Sequence, residues 1–366
     1  MHVTSGVCGE PENELVTRRS VCQAGLRALG GRGRKGEAVT VVLVVVAVAF
    51  AVSMGAHYTG ACMGMPHALG AVSAWQALLV MAPLTLVGAA FASHGVEYTV
   101  GHGLVVGQLS VVAQVIVVGV AFALTSLFNV VRVPTSTIQI LVFAVAGVAL
   151  AAHRSVHWSM VGTLALIWVA APLVAALLGF ALTRAFDLVP VLGASARTTD
   201  NGRIRAGMGL GLALTVVGAA ASFTMGANDV ANATGALVGT GTFAPLKAGV
   251  VGGLGLAVGV LTWGRPLLRK VAFDIVTVDR PMATAAQLVQ ALVVLSAVAF
   301  GFFTSMNQAL VGAMTGAGLA RGRHTVKTSS LVGILRGWVI GPGAGIAAGY
   351  LIALLVALGG VQLGQA

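Results

Sequence analysis

A single carboxylate, Asp229, stands inside an apolar stretch long enough to cross a bilayer, in the run Met225-Gly226-Ala227-Asn228-Asp229-Val230-Ala231-Asn232-Ala233-Thr234-Gly235. A charged side chain at that depth costs about 2.5 to 3.5 kcal/mol on insertion scales, so its presence marks a functional site. Asn228, Asn232, Gly226 and Gly235 flank it, and the segment is expected to be a broken helix offering backbone groups to a small ion.

The rest of the chain agrees with a membrane setting. Of 366 residues, 57% are hydrophobic and only 8% charged, and the mean hydropathy is +0.96. A soluble domain carries about 25% charged residues. The reading is therefore an all-α, multi-pass protein of the cell membrane, with the lipid bilayer as its main partner. The net charge of +11 does not indicate nucleic acid, because the basic residues sit in short segments beside apolar spans, as loop anchors do. The 50 glycines suit close helix contacts, and on composition alone a homodimer is an open expectation. Cys8, Cys22 and Cys62 have neither metal-type spacing nor a disulfide framework. No nucleophile–base pair and no phosphate-cradling loop ending in lysine is present, so neither an enzyme nor a cofactor is expected.

The chain repeats itself at an offset of about 170 residues. Met54-Gly55-Ala56 recurs as Met225-Gly226-Ala227, and Gln76-Ala77 as Lys247-Ala248. Thr135-Ser136-Thr137-Ile138-Gln139 aligns with Thr304-Ser305-Met306-Asn307-Gln308, and Trp168-Val169-Ala170-Ala171-Pro172 with Trp338-Val339-Ile340-Gly341-Pro342. The expected organisation is a basic, disordered tail over 1–37, a first transmembrane repeat over 38–186, a linker over 187–205 and a second repeat over 206–358.

Apolar segments of spanning length fall at 38–55, 74–93, 106–128, 137–152 and 159–183, then at 206–225, 247–264, 284–303, 308–320 and 329–358. Glycine-rich interruptions follow the first segment of each half, at 55–73 and 226–246. Such paired interruptions point to a transporter site between the halves. Segments 137–152 and 308–320 are short and read as half-helices or re-entrant hairpins. Five segments per half would invert one repeat relative to the other. The charges agree only in part, since the N-terminal tail and the linker are both basic, so the orientation of the termini stays open.

A helix that starts inside the membrane presents unpaired N–H groups and a partial positive charge, which suits a tetrahedral oxyanion. The donors grouped at such starts are Thr135, Ser136, Thr137 and Gln139, and Thr304, Ser305, Asn307 and Gln308. Asn228, Asn232 and His57 complete the candidate anion site; the competing reading for the Ser/Thr residues is simple helix capping. Asp229 would repel an anion, so its role is to hold the coupling ion, H⁺ or Na⁺, with Asn228, Thr135 and Thr304. A transported Na⁺ at Asp229 is the one metal expected. The other half has His57-Tyr58 where this one has Asn228-Asp229. His57 is open to two readings: it carries a proton or donates to the anion, or it fills the space of a lost site. His67 reads as a satisfied loop histidine. Arg336 reads either as an anion-neutralising group or as one reaching toward an interface.

The run Gly226-Ala227-Asn228-Asp229-Val230-Ala231-Asn232-Ala233 resembles the signature of the inorganic phosphate transporter (PiT) family. Gln308-Ala309-Leu310-Val311-Gly312-Ala313 and Pro134-Thr135-Ser136-Thr137 resemble further elements of that family, over about residues 40 to 358. The resemblance implies a helical secondary transporter with inverted repeats, carrying inorganic phosphate between its halves with Na⁺ or H⁺. The first copy departs, reading Gly55-Ala56-His57-Tyr58-Thr59-Gly60-Ala61-Cys62. A sulfate-permease branch of the family has a similarly degenerate first copy, and Gly264-Arg265-Pro266-Leu267-Leu268 resembles that branch as well. Sulfate transport, or a channel-like or non-transporting relative, is therefore the alternative to phosphate symport.

Overall fold

The computed structural model describes residues 36–130, 135–188, 200–268, 278–322 and 325–364. The tail over 1–35, Pro134, the linker over 189–199, and Arg269 and Lys270 lie outside the described residues. Two compact units are distinguished. The first, Met1–Val42, is described only from 36 on and is helical there. The second, Leu43–Ala366, holds everything that follows.

Helices make up this second unit. They are α1 (43–57), α2 (Thr59–Ala68), α3 (Ala74–Ala92), α4 (His94–His102), α5 (Val111–Val130), α6 (Thr137–Ala151) and α7 (Trp158–Leu188). Then follow α8 (Asp200–Asp229), α9 (Ala231–Gly239), α10 (Pro245–Trp263), α11 (Arg280–Ala299), α12 (Met306–Arg321) and α13 (Thr328–Leu358). Eight helical segments of the described chain are long and apolar enough to cross a membrane. The protein is a multi-pass helical membrane protein. Large apolar side chains such as Leu166, Leu173 and Leu177 on α7 and Val339, Leu351 and Leu355 on α13 stay exposed, as a lipid-facing surface requires.

The helix boundaries have local causes. Ser73 caps α3 in a reciprocal box with Gln76, its Oγ accepting the Gln76 N–H at 3.3 Å while its own N–H donates to Gln76 Oε1 at 2.8 Å. Its counterpart α10 has no such cap and starts on Pro245, whose fixed φ suits a first turn. Asp279 caps α11 by accepting the Met282 N–H at 2.8 Å, so that helix starts four residues before the apolar run expected at 284. It stops at Ala299, just before Gly301 turns the chain at φ +72°. The segment expected to span from 106 begins only at Val111, and a separate short helix, α4, precedes it.

The expected interruptions at 55–73 and 226–246 prove much narrower. Tyr58 alone separates α1 from α2, and Val230 alone separates α8 from α9. Backbone bonds carry across both points: Tyr58 N–H to Met54 O (3.1 Å), Cys62 N–H to Tyr58 O (3.0 Å) and Thr234 N–H to Val230 O (3.0 Å). These are bends in continuous helices rather than stretches of open backbone. The helix starts that do open are those of α6 and α12.

Helices from the two halves pack reciprocally. The α6 helix lies along α13, and α12 lies along α7. The α3 and α8 helices meet where glycine is required: a Cβ on Gly226 would come 2.0 Å from Thr85 O. Close backbone approach of this kind suits association in lipid, where dispersion and hydrogen bonds replace the hydrophobic drive.

Candidate functional site

The candidate residues converge where the two bends meet the two open helix starts. Ser136 caps α6, its Oγ accepting the Gln139 N–H at 3.4 Å, and Ser305 caps α12 in the same way with Gln308 at 3.4 Å. The serines therefore do act as caps. The residues around these starts are buried even so: Thr135, Ser136, Thr137, Gln139, Thr304, Ser305 and Gln308 are all inside the protein.

Each helix start is tied to a bend. Asn228, the residue before Asp229, exchanges two hydrogen bonds with the backbone of Thr304: its Nδ2 donates to Thr304 O at 2.8 Å, and Thr304 N–H donates to its Oδ1 at 3.1 Å. Asn232, on the far side of the same bend, donates to Thr137 Oγ1 at 3.3 Å and lies 3.7 Å from Met54 Sδ. The other bend contributes Tyr58, whose hydroxyl shares a 2.7 Å hydrogen bond with Thr137 Oγ1. It also contributes His57, whose Nε2 accepts from Asn307 Nδ2 at 3.2 Å. All the candidate residues except Thr135 and Asp229 are thus joined to one another by hydrogen bonds, and those two are buried beside Ser136 and Asn228 in the chain.

Asp229 is fully buried, and the polar groups of Asn228 and Tyr58 bear on its carboxyl. Neither of its oxygens has a hydrogen-bond partner in the described structure. Asn232 Oδ1, Gln139 Oε1, Thr304 Oγ1 and Gln308 Oε1 share that condition. A buried polar atom without a partner costs about 1 to 3 kcal/mol, so such a concentration needs a physical reason. Oxygens of this kind are hard ligands suited to Na⁺, and a carboxylate among them equally suits a proton. Anion donors are available too, in the amide groups of Gln139 and Gln308 and the first N–H groups of α6 and α12.

The structure bears on three sequence readings. The Asn228 amide is occupied on both sides by the Thr304 backbone, which ties the bend to the α12 start. Arg336 is exposed on α13, away from the buried cluster. His67 is satisfied locally, with Nδ1 3.2 Å from Val72 O. Sequence reasoning also missed three buried polar side chains. Gln287 donates to Ala61 O at 3.1 Å and also to Cys62 O, and Gln290 donates to Met306 O at 3.3 Å, next to the α12 start. Both sit on α11 within an otherwise apolar run, where a lone glutamine was the available signal. The third, Glu97, lies outside this cluster.

Comparison with known proteins supplies the frame. Residues 54–349 match the family model described as the phosphate transporter family. The sulfate permease CysP of Bacillus subtilis (strain 168) is 26% identical over 310 residues, covering 84% of this chain and 85% of that protein. A probable low-affinity inorganic phosphate transporter of Mycobacterium bovis is 27% identical over 329 residues, covering 87% of this chain and 78% of that protein. A solved structure titled the sodium-dependent phosphate transporter has the same fold, with a TM-score of 0.78 at 20% identity over 88% of this chain and 99% of that one. The chain is a transporter rather than an enzyme, and it belongs to the phosphate transporter family.

Proposed function

We propose that the protein is a cation-coupled symporter of inorganic phosphate, with the anion held between the α6 and α12 starts and the coupling ion, Na⁺ or H⁺, at Asp229. The observation that carries this reading is the group of buried, unpartnered oxygens that includes those of Asp229, set beside two helix N-termini buried inside the protein. Opposite charges taken up at adjoining places neutralise one another, so each ligand lowers the cost of burying the other. In this reading Ser136, Thr137, Gln139, Ser305, Asn307, Gln308, Asn232 and His57 face the anion. Thr135 and Thr304 serve the coupling ion, and Asn228 positions the α12 start. The halves 38–186 and 206–358 act as inverted repeats around the site, a reading supported by the reciprocal packing of α6 on α13 and α12 on α7.

Sulfate is the second reading, favoured by His57-Tyr58 in place of an Asn-Asp pair and by the similarity to a sulfate permease. Phosphate can donate a hydrogen bond at neutral pH and sulfate cannot, so the unpartnered acceptors favour phosphate. Uptake of radiolabelled phosphate and of sulfate, in cells lacking their own permeases, separates the two. Phosphate should accumulate in a Na⁺- or pH-gradient-dependent manner, and Asp229→Asn should abolish that dependence. Accumulation of neither anion would sink the symport reading, while conduction without accumulation would mark a channel.

A further inference from the structure

Glu97 is a buried carboxyl that the site around Asp229 does not use. It lies on α4, outside the eight candidate spans, with none of its surface exposed. Its Oε1 is 2.6 Å from Thr234 Oγ1, and its Oε2 has no hydrogen-bond partner. A buried carboxylate anion needs several donors or a cation to offset its lost hydration; besides Ser93, whose hydroxyl gives its hydrogen to Ala89 O at 2.6 Å, Glu97 has the hydroxyl of Thr234. That hydroxyl also lies 3.0 Å from Val230 O, one turn back on its own helix. Thr234 has a single hydrogen for these two oxygens. A proton on Glu97 resolves the arrangement: the carboxyl donates to Thr234, and Thr234 donates to Val230.

Among the described residues, none supplies a counter-charge to Glu97. The α3 and α9 helices carry no titratable side chain. On α10 there is Lys247, whose Nζ lies 4.3 Å above the Phe243 ring, and on α11 there is Arg280, which donates to Leu69 O at 3.0 Å. On α4 itself, His94 meets Ala90 O and Tyr98 stacks on His102. None of these acts on the Glu97 carboxyl. Burial pushes that carboxyl up to about 7, with the nearby Thr234 and Ser93 hydroxyls drawing it part of the way back.

The contact around it is tight. A Cβ on Gly101 would come 2.7 Å from Gly235 O, and one on Gly239 would come 2.5 Å from Gly101 O. A charge formed on Glu97 would have to be hydrated, and water can reach it only if α4 and α9 part. The α9 helix starts at Ala231, two residues beyond Asp229.

We propose that Glu97 and Thr234 form a proton-binding site distinct from Asp229, and that its proton holds α4 against α9. It does not depend on which anion or cation is carried.

Infrared difference spectroscopy on the purified full chain tests it. With Asp229→Asn in place, spectra taken at about pH 6 and about pH 8 are insensitive to ordinary carboxyls, which are ionised at both. A protonated-carboxyl C=O band should be lost as the pH rises, and adding Glu97→Gln should remove that change. Thr234→Val, which takes away the group accepting the carboxyl hydrogen, should move the band to higher frequency. No titrating band in the Asp229→Asn protein, or one that survives Glu97→Gln, overturns the proposal. So does a band that Thr234→Val leaves in place. None of these readouts requires transport.

Discussion

Asn228 and the backbone of Thr304 form a closed, two-bond pair, at 2.8 Å and 3.1 Å, linking the bend of α8 to the start of α12. One side-chain amide satisfies both an N–H and a C=O that no helix turn can reach. The second half's helix start is therefore fixed by the residue immediately before its carboxylate. Any movement of Asp229 must be felt at Thr304.

Asn228→Ala should destabilise the protein beyond the loss of a side chain. It leaves a buried N–H and a buried C=O unpaired, each costing about 1 to 3 kcal/mol. A lowered melting midpoint in detergent, together with lost anion uptake, is the expected result. Asn228→Asp, which keeps an acceptor for the Thr304 N–H but loses the donor to its carbonyl, should recover only part of the stability.

Tyr58→Phe removes the hydroxyl that meets Thr137 Oγ1 at 2.7 Å and bears on Asp229. The fold should survive, with a cost of about 1 kcal/mol for one buried hydrogen bond. The apparent affinity for the coupling ion should change more than that for the anion. Uptake measured at varied cation and at varied anion concentration separates the two effects, and equal shifts would argue against a coupling role.

Gly226→Ala should prevent normal folding, because its Cβ would lie 2.0 Å from the backbone oxygen of Thr85. Overpacking of a side chain costs about 1 to 3 kcal/mol, and here the obstacle is backbone. Gly333→Ala is the control: nothing lies within 4 Å of its added Cβ, and α13 should gain up to about 1 kcal/mol. Folded yield by size-exclusion profile, compared between the two variants, checks the contrast.

The Glu97 carboxyl sets a direction for stability against pH. Its value in the folded protein, about 7, is raised above the unfolded value of about 4.3. The folded state therefore binds the proton more tightly, so the added stability is complete below about pH 4.3 and is lost as the pH rises through about 7. Thermal melting in detergent should show a lower midpoint at about pH 8 than at about pH 5. In Glu97→Gln that part of the slope should be missing.

The site was legible in the sequence wherever chemistry broke an apolar run. Asp229 and the Thr-Ser clusters before α6 and α12 announced themselves because nothing in a lipid-facing helix calls for them. The narrowness of the bends was not legible, since glycine and asparagine mark where a helix can open without saying whether tertiary contacts let it. The tie from Asn228 to Thr304 was not legible for a similar reason: the partner is a backbone group 76 positions away, and backbone leaves no letter in the sequence. Glu97 escaped notice because it stands among histidines and glycines in a segment that reads as a loop. Its hydroxyl partner, Thr234, lies on α9, 137 positions away. Arg336 is the converse case, a charge inside an apolar run that the helix simply turns outward.

The reciprocal packing of α6 and α13 also bears on how the chain is made. Nearly all of α6 is buried, and the helix it lies along is synthesised much later, with α7 to α12 in between. From residue 151 until residue 358 has emerged, that seam must be covered by lipid, by another protein or by a provisional neighbour. Co-translational insertion therefore cannot complete one half before the other. A ribosome that stalls late leaves a polar helix start, Ser136 and Gln139 included, facing the bilayer, where quality-control proteases can find it.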